Sequence, residues 1–164
     1  MILPWITDDQ LPLIFAGLMG LALLLYGLLD GLDLGVGVLM RRAESDDKDM
    51  MIASIGPFWD ANETWLVLGI GLLLVAFPAA HGIILGKLYI PVAVLLMGLI
   101  LRGVAFDFRV KAKADHKPVW NAVFYLGSLL ASLAQGFMLG HYLMNFADTW
   151  TAYLFSGFIA LCFV

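Results

Sequence analysis

Tyr26-Gly-Leu-Leu-Asp-Gly-Leu-Asp-Leu-Gly-Val-Gly37 sets two acidic residues, Asp30 and Asp33, inside an apolar run extending from about residue 11 to residue 40. At about 1.5 Å of rise per residue, a helix of that length crosses the ~30 Å hydrocarbon core of a bilayer. An ionised carboxylate at that depth is costly unless it is partnered or hydrated, so intramembrane acids usually mark function. The next apolar run repeats the anomaly with Asp60 and Glu63. The two pairs mirror one another about a point between Asp46 and Asp47 in the polar stretch Arg41-Arg-Ala-Glu-Ser-Asp-Asp-Lys-Asp49, with Asp33 matching Asp60 and Asp30 matching Glu63 in distance from it. An antiparallel helical hairpin of the two runs therefore predicts four carboxyls at one depth.

Composition extends this reading to the whole chain. With 62% hydrophobic residues, 13% charged residues and a mean hydropathy of +0.94, the sequence describes an integral membrane protein. The expected fold is an all-α, polytopic transmembrane helical bundle, with residues 1–164 forming a single transmembrane domain. Nine basic and thirteen acidic residues give a net charge of -4, with no basic patch or cationic run interleaved with aromatics, which argues against nucleic acid binding. The single cysteine, Cys162, excludes an internal disulfide and a Cys-rich metal site. The N-terminal Met-Ile-Leu-Pro-Trp-Ile-Thr-Asp-Asp9 lacks a basic segment and leads into a run too long for a cleaved signal peptide, so the first helix is expected to persist.

Four complete spans are expected at about 11–40, 52–77, 83–110 and 119–143, with the start of a fifth near Tyr153. That last run is still apolar at Val164, so the sequence is expected to be a truncated piece of a longer subunit. Eight of the nine basic residues follow or end the first and third spans: Arg41, Arg42, Lys48, Arg102, Arg109, Lys111, Lys113 and Lys117. Basic residues concentrate on the cytoplasmic side, so the N-terminus is expected to be external, with His81 and His141 at or near the external face. The acids then sit in the cytoplasmic half of the membrane, roughly 12–16 Å of helix rise from the adjoining loop.

Gly27, Gly31 and Gly35 recur every four residues and predict a groove for close helix packing, a device repeated by Gly136 and Gly140. Pro57 and Pro91 are expected near the starts of their helices, where a kink is tolerated. Trp5, Trp120 and Trp150 read as interfacial belt anchors, and Trp59 and Trp65 as a dry wall beside the acids.

Asp30 and Asp33 share a helix face, as do Asp60 and Glu63. Burial and like-charged neighbours favour the protonated form, so such a cluster can hold exchangeable protons and conduct them. It can equally be structural, with acids hydrogen-bonded to Asn62, Thr64 or backbone, or paired with Arg102 as counter-ion. His141, Met138, Met144 and Met97 are haem-ligand types, but at these positions they read as interfacial or packing residues. No H-x-x-x-H pair, phosphate-cradling glycine loop or nucleophile motif is present.

Three segments in order, Asp30-Gly-Leu-Asp-Leu-Gly-Val-Gly37, Ile55-Gly-Pro-Phe-Trp-Asp-Ala-Asn-Glu-Thr-Trp65 and Leu101-Arg-Gly-Val-Ala-Phe-Asp-Phe-Arg109, resemble the N-terminal half of subunit II of the cytochrome bd-type quinol oxidases. Gly127-Ser128 and Gln135-Gly136 extend the resemblance, while Ala61 stands where the family often has glycine. Asn62-Glu-Thr-Trp-Leu-Val67 looks most like the cyanide-insensitive branch. The resemblance implies a multi-pass subunit of the bacterial cytoplasmic membrane in a complex that oxidises quinol and reduces dioxygen to water with protons drawn from the cytoplasm. It implies no cofactor bound by this chain, with b-type and d-type haems and the quinol-oxidation loop in a haem-bearing subunit I. A small accessory subunit and membrane lipid or quinone are further expected partners. It also implies that Asp60 is the proton-pathway acid, with Asp30 and Asp33 near the entrance or lining the route. A proton-coupled secondary transporter and a purely structural assembly subunit are the competing classes.

Overall fold

The computed structural model describes Thr7 and residues 10–164, and Trp5 lies outside them. The described residues are helical throughout, without strands: α1 (Leu11–Leu39), a short 3-10 turn (Met40–Arg42), α2 (Ser45–Ile55), α3 (Trp59–Ala76), α4 (Pro78–Lys111), α5 (Lys117–Leu143) and α6 (Trp150–Phe163). Four helices, α1 with its 3-10 extension, α3, α4 and α5, are long and apolar enough to cross a membrane, and α6 is a shorter apolar helix. The chain is therefore an integral membrane protein with the expected four spans and a fifth apolar helix after them.

Proline sets several of the boundaries. α1, α4 and α5 each carry one in the first turn, where its missing N–H has no intrahelical partner to lose. The second expected span, 52–77, is divided: residues 52–55 end α2, and α3 starts only at Trp59. Pro57 lies in this break and cannot donate the hydrogen bond that would carry α2 onward. Pro91 also departs from expectation. Because α4 begins at Pro78, Pro91 lies well inside it, and the helix kinks at Leu88, whose φ of -107° and ψ of 17° are non-helical.

The connections alternate direction, so two ends of the bundle can be distinguished. At one end, which we call the basic end, Arg109 of α4 and Lys117 of α5 both reach Asp49 of α2. At the other, Lys87 of α4 pairs with Asp148 before α6 at 3.1 Å. Helix α5 is central, packing against α1, α4 and α6, while α3 packs mainly on α1. Ile52 and Ile55 of α2 join Met40, Ala105, Phe106 and Phe124 in one buried cluster, which fixes α2 beneath the spans. Leu34, Leu95, Ala131 and Ala134 form a second, deeper one.

The closest helix contacts fall at different glycines from the expected triplet. A Cβ placed on Gly27, Gly31 or Gly35 would meet nothing within 4 Å, so that stripe packs against no other helix among the described residues. The physical reason is rotation of α1: the buried Tyr26, Asp30, Asp33, Leu34 and Gly37 define its inward face, and the regular stripe points elsewhere. Instead α4 and α5 touch backbone to backbone at Gly98 and Gly127, where added Cβ atoms would approach the facing backbone to 2.8 and 2.7 Å. Gly136 and Gly140 meet α6 in the same way, at Ala160 and Ser156.

Candidate functional site

The interior of this bundle is charged and much of its surface is apolar, the inverse of a soluble protein. Arg102 and Asp30 are both 0% exposed, Asp33 is 5% exposed, and large side chains such as Leu32, Val67, Ile90 and Ile100 stand outward. Arg102 comes from α4 at the Gly127 contact, where α5 lies against its own backbone and fills that side. Its guanidinium therefore extends towards α1 and α3. Nη2 lies 2.7 Å from Asp30 Oδ1 and 3.8 Å from Asp33 Oδ2, and Nη1 lies 3.4 Å from Glu63 Oε1. Asn62 donates to Asp33 Oδ2 at 2.8 Å.

Three of the four mirrored acids thus converge on one cation contributed by a third helix. Asp30 and Glu63, which the mirror pairs, both reach Arg102, whereas Asp33 engages Asn62 rather than its partner Asp60. Asp60 corrects the expectation of four acids at one inward level. It lies in the first turn of α3 with its side chain exposed, because the break at residues 56–58 starts the helix just before it and turns this position outward. Thr64 does not serve the acids' side chains either, since its hydroxyl donates to the backbone carbonyl of Asp60 at 3.0 Å.

The cluster is close but incompletely hydrogen-bonded. Despite the ion-pair contacts, Arg102 Nε, Nη1 and Nη2, both Asp30 carboxylate oxygens and Glu63 Oε1 have no hydrogen bond of good geometry among the described residues. Buried polar atoms in that state are where ordered water is found in proteins. One guanidinium also faces three carboxyls, which leaves more acid than fixed base in the interior.

Sequence reasoning missed two further polar contributors. Tyr26 lies one helical turn from Asp30 on the buried face of α1, and its hydroxyl accepts a hydrogen bond from Gln135 of α5. The available signal was the four-residue spacing from Tyr26 to Asp30 together with a glutamine inside an apolar span. The second was a surface clasp. Asp49 accepts from Arg109 at 2.8 Å and from Lys117 at 2.9 Å, and Arg109 also donates to Asn121. These bonds hold the Asp49 carboxyl below the usual carboxylate range, Lys117 first and Arg109 second. The sequence stretch around Asp49 gives no sign of partners sixty residues away.

Among the residues of haem-ligand type, His141 is 3% exposed and stacks on Tyr153 and Phe137, with ring centroids 5.4 and 5.9 Å away. Met138 packs against the deeper core, and Met97 is half exposed on the outer surface. Among the described residues no three His, Cys, Asp or Glu side chains are grouped to hold a metal ion.

Comparison with known proteins agrees with the three resembling segments. The family model described as cytochrome bd terminal oxidase subunit II matches residues 11–164. Cytochrome bd ubiquinol oxidase subunit 2 of Bacillus subtilis (strain 168) is 42% identical over 113 residues, which is 66% of this chain and 33% of the relative. Cytochrome bd-I ubiquinol oxidase subunit 2 of Escherichia coli (strain K12) is 32% identical over 131 residues, covering 78% of this chain and 35% of that protein. The chain therefore spans about a third of the length of these curated relatives. By this family match and these identities, the chain belongs to the cytochrome bd terminal oxidase subunit II family.

Proposed function

We propose that this chain is part of a haem-free membrane subunit of a bd-type terminal oxidase, a complex that oxidises quinol and reduces dioxygen to water in the bacterial cytoplasmic membrane. In this reading it supplies structure, contacts a haem-bearing subunit I, and carries part of a proton route from the cytoplasmic side. A small accessory subunit and bound lipid or quinone complete the expected assembly. The excess of basic residues at the end bearing α2 and the α4–α5 turn supports placing that end in the cytoplasm and the N-terminus outside.

The observation that carries the proton role is the convergence of Asp30, Asp33 and Glu63 on Arg102 in the interior of a chain of this family. Asp60 stands one turn nearer the basic end than Glu63 and faces outward, which suits the mouth of the route. Protons would pass from Asp60 to Glu63 and on to Asp30, with Arg102 holding the acids in register and water filling the unsatisfied positions. The excess of acids over cation keeps the relay exchangeable, because the lone guanidinium cannot neutralise all three together.

Asp60→Asn and Glu63→Gln in the assembled oxidase are expected to slow oxygen consumption while leaving the haem absorption spectrum intact. Unchanged turnover in both variants rejects the proton role. The close Arg102–Asp30 pair favours one second reading, a purely structural cluster, which predicts altered yield or haem content with unchanged turnover per complex.

A further inference from the structure

The basic residues of this chain divide sharply by partner. Arg102, Arg109, Lys87 and Lys117 each meet a carboxylate, and Arg41 lies over the Tyr125 ring at 5.2 Å. Lys111 and Lys113, like Arg42 and Lys48, have no acidic partner within 4 Å among the described residues. Lys111 and Lys113 both line one cleft of about 430 Å³ at the α4–α5 turn, together with His116, Val119, Phe108 and Trp120. No acidic side chain lines it. His116 Nδ1 lies 3.8 Å from Asp115, and the fixed positive charge of the cleft belongs to the two lysines.

The other wall of the cleft is aromatic. Phe108 and Trp120 stack with ring centroids 5.0 Å apart and planes 20° from parallel. Phe108 is 55% exposed and Val119 59% exposed, and this surface continues along the outward face of α4 through Val104 and Ile100. Cations therefore stand at the end of a membrane-spanning helix, next to exposed apolar surface. Lysine stems lie along apolar walls while their ammonium groups reach the headgroup level, and basic pockets between spans on the cytoplasmic side recognise anionic headgroups.

We infer that the α4–α5 turn carries a binding site for an anionic diacyl phospholipid, its phosphate held by Lys111 and Lys113 and its glycerol and upper acyl chains against Phe108 and Trp120. The apolar wall selects a bilayer lipid over free phosphate, because a small soluble anion would leave it unused. This deepens the bound-lipid part of the proposed assembly by naming the lipid class and the residues that hold it, and it does not depend on the oxidase chemistry.

Trp120 supplies its own reporter. The protein is extracted with whatever subunits accompany it and reconstituted in phosphatidylcholine nanodiscs containing brominated phosphatidylglycerol or brominated phosphatidylcholine. Trp120 emission is taken as the difference from Trp120→Phe. Brominated phosphatidylglycerol is expected to quench that emission at a much lower mole fraction than brominated phosphatidylcholine. The preference should weaken about fivefold for each lysine removed in Lys111→Gln and Lys113→Gln, and survive in the charge-preserving Lys111→Arg/Lys113→Arg variant. Equal quenching by both lipids, or a preference untouched by the glutamine variants, overturns the inference. So does its abolition by inorganic phosphate at constant ionic strength, which would make the site one for a soluble anion.

Discussion

Two polar assemblies hold this bundle, and they use the same chemistry in different surroundings. Around Arg102, a fully buried carboxyl from α1 and a partly buried one from α3 meet a fully buried guanidinium from α4. Around Asp49, a half-exposed carboxylate from α2 accepts from Arg109 and Lys117 at similar distances. Removing charge from water is expensive, and the interior returns that cost only while every partner stays in place. At the surface, water and salt replace a lost partner cheaply. The inner cluster is consequently an all-or-none feature of the fold, and the outer clasp is an adjustable one.

The severest way to break this contrast is Arg102→Leu, which leaves buried acids without a cation. Loss of about 3–5 kcal/mol is expected, read as collapse of the yield of folded protein and of its detergent-solubilised Tm. A Tm near wild type would show that the acids are neutral without Arg102 and would remove the distinction between the two sites. Next in size is Gly127→Val, because a Cβ there comes 2.7 Å from the Arg102 backbone. Its overpacking is expected to cost about 1–3 kcal/mol in the same assay. Gly31→Val, on the open stripe, is the control and should leave helix packing within the chain unchanged.

Asp49→Asn is expected to lower stability by less than about 1 kcal/mol at pH 7, and about 1 M salt should erase the difference because the Debye length is then about 3 Å. Its pH dependence has a defined sign. Lys117 and Arg109 lower the folded-state pKa of Asp49, so its contribution is fully present above the unfolded value of about 3.9 and disappears as pH falls through the lowered one. The Tm difference between wild type and Asp49→Asn should be flat from about pH 5 to 8 and shrink below about pH 4. Smallest of all is Lys87→Gln. Its pair with Asp148 is exposed on both sides, and no measurable change in Tm is expected.

The two sites also differed in how visible they were in the sequence. Acids inside an apolar run announce themselves, because every residue nearby is of another kind; that is why Asp30, Asp33, Glu63 and Arg102 were all identifiable before any fold was known. Asp49 sits among Glu44, Asp46 and Asp47, where one more acid carries no signal. The mirror argument succeeded for Asp30 and Glu63 and failed for Asp60, since it assumed two uninterrupted helices and the chain breaks at Gly56-Pro57-Phe58. The glycine triplet meets no other helix among the described residues. Regular spacing shows that one face of α1 is smooth, but not which way that face is turned.

Composition and apolar run length by themselves determined that this is a helical membrane protein with four spans, because lipid leaves the backbone no alternative to satisfying its hydrogen bonds within each segment. The order of the acidic and arginine-bearing motifs determined the family. Only the tertiary structure decided that Asp60 faces out while Asp30 and Glu63 face in, that Gly98, Gly127, Gly136 and Gly140 sit at close helix crossings within the chain while Gly27, Gly31 and Gly35 do not, and that Lys111 and Lys113 stand without an acidic partner among the described residues. Each of those outcomes depends on the rotation of one helix about its axis relative to another. That rotation is fixed by packing between residues far apart in the chain, and hydropathy along a single segment does not encode it.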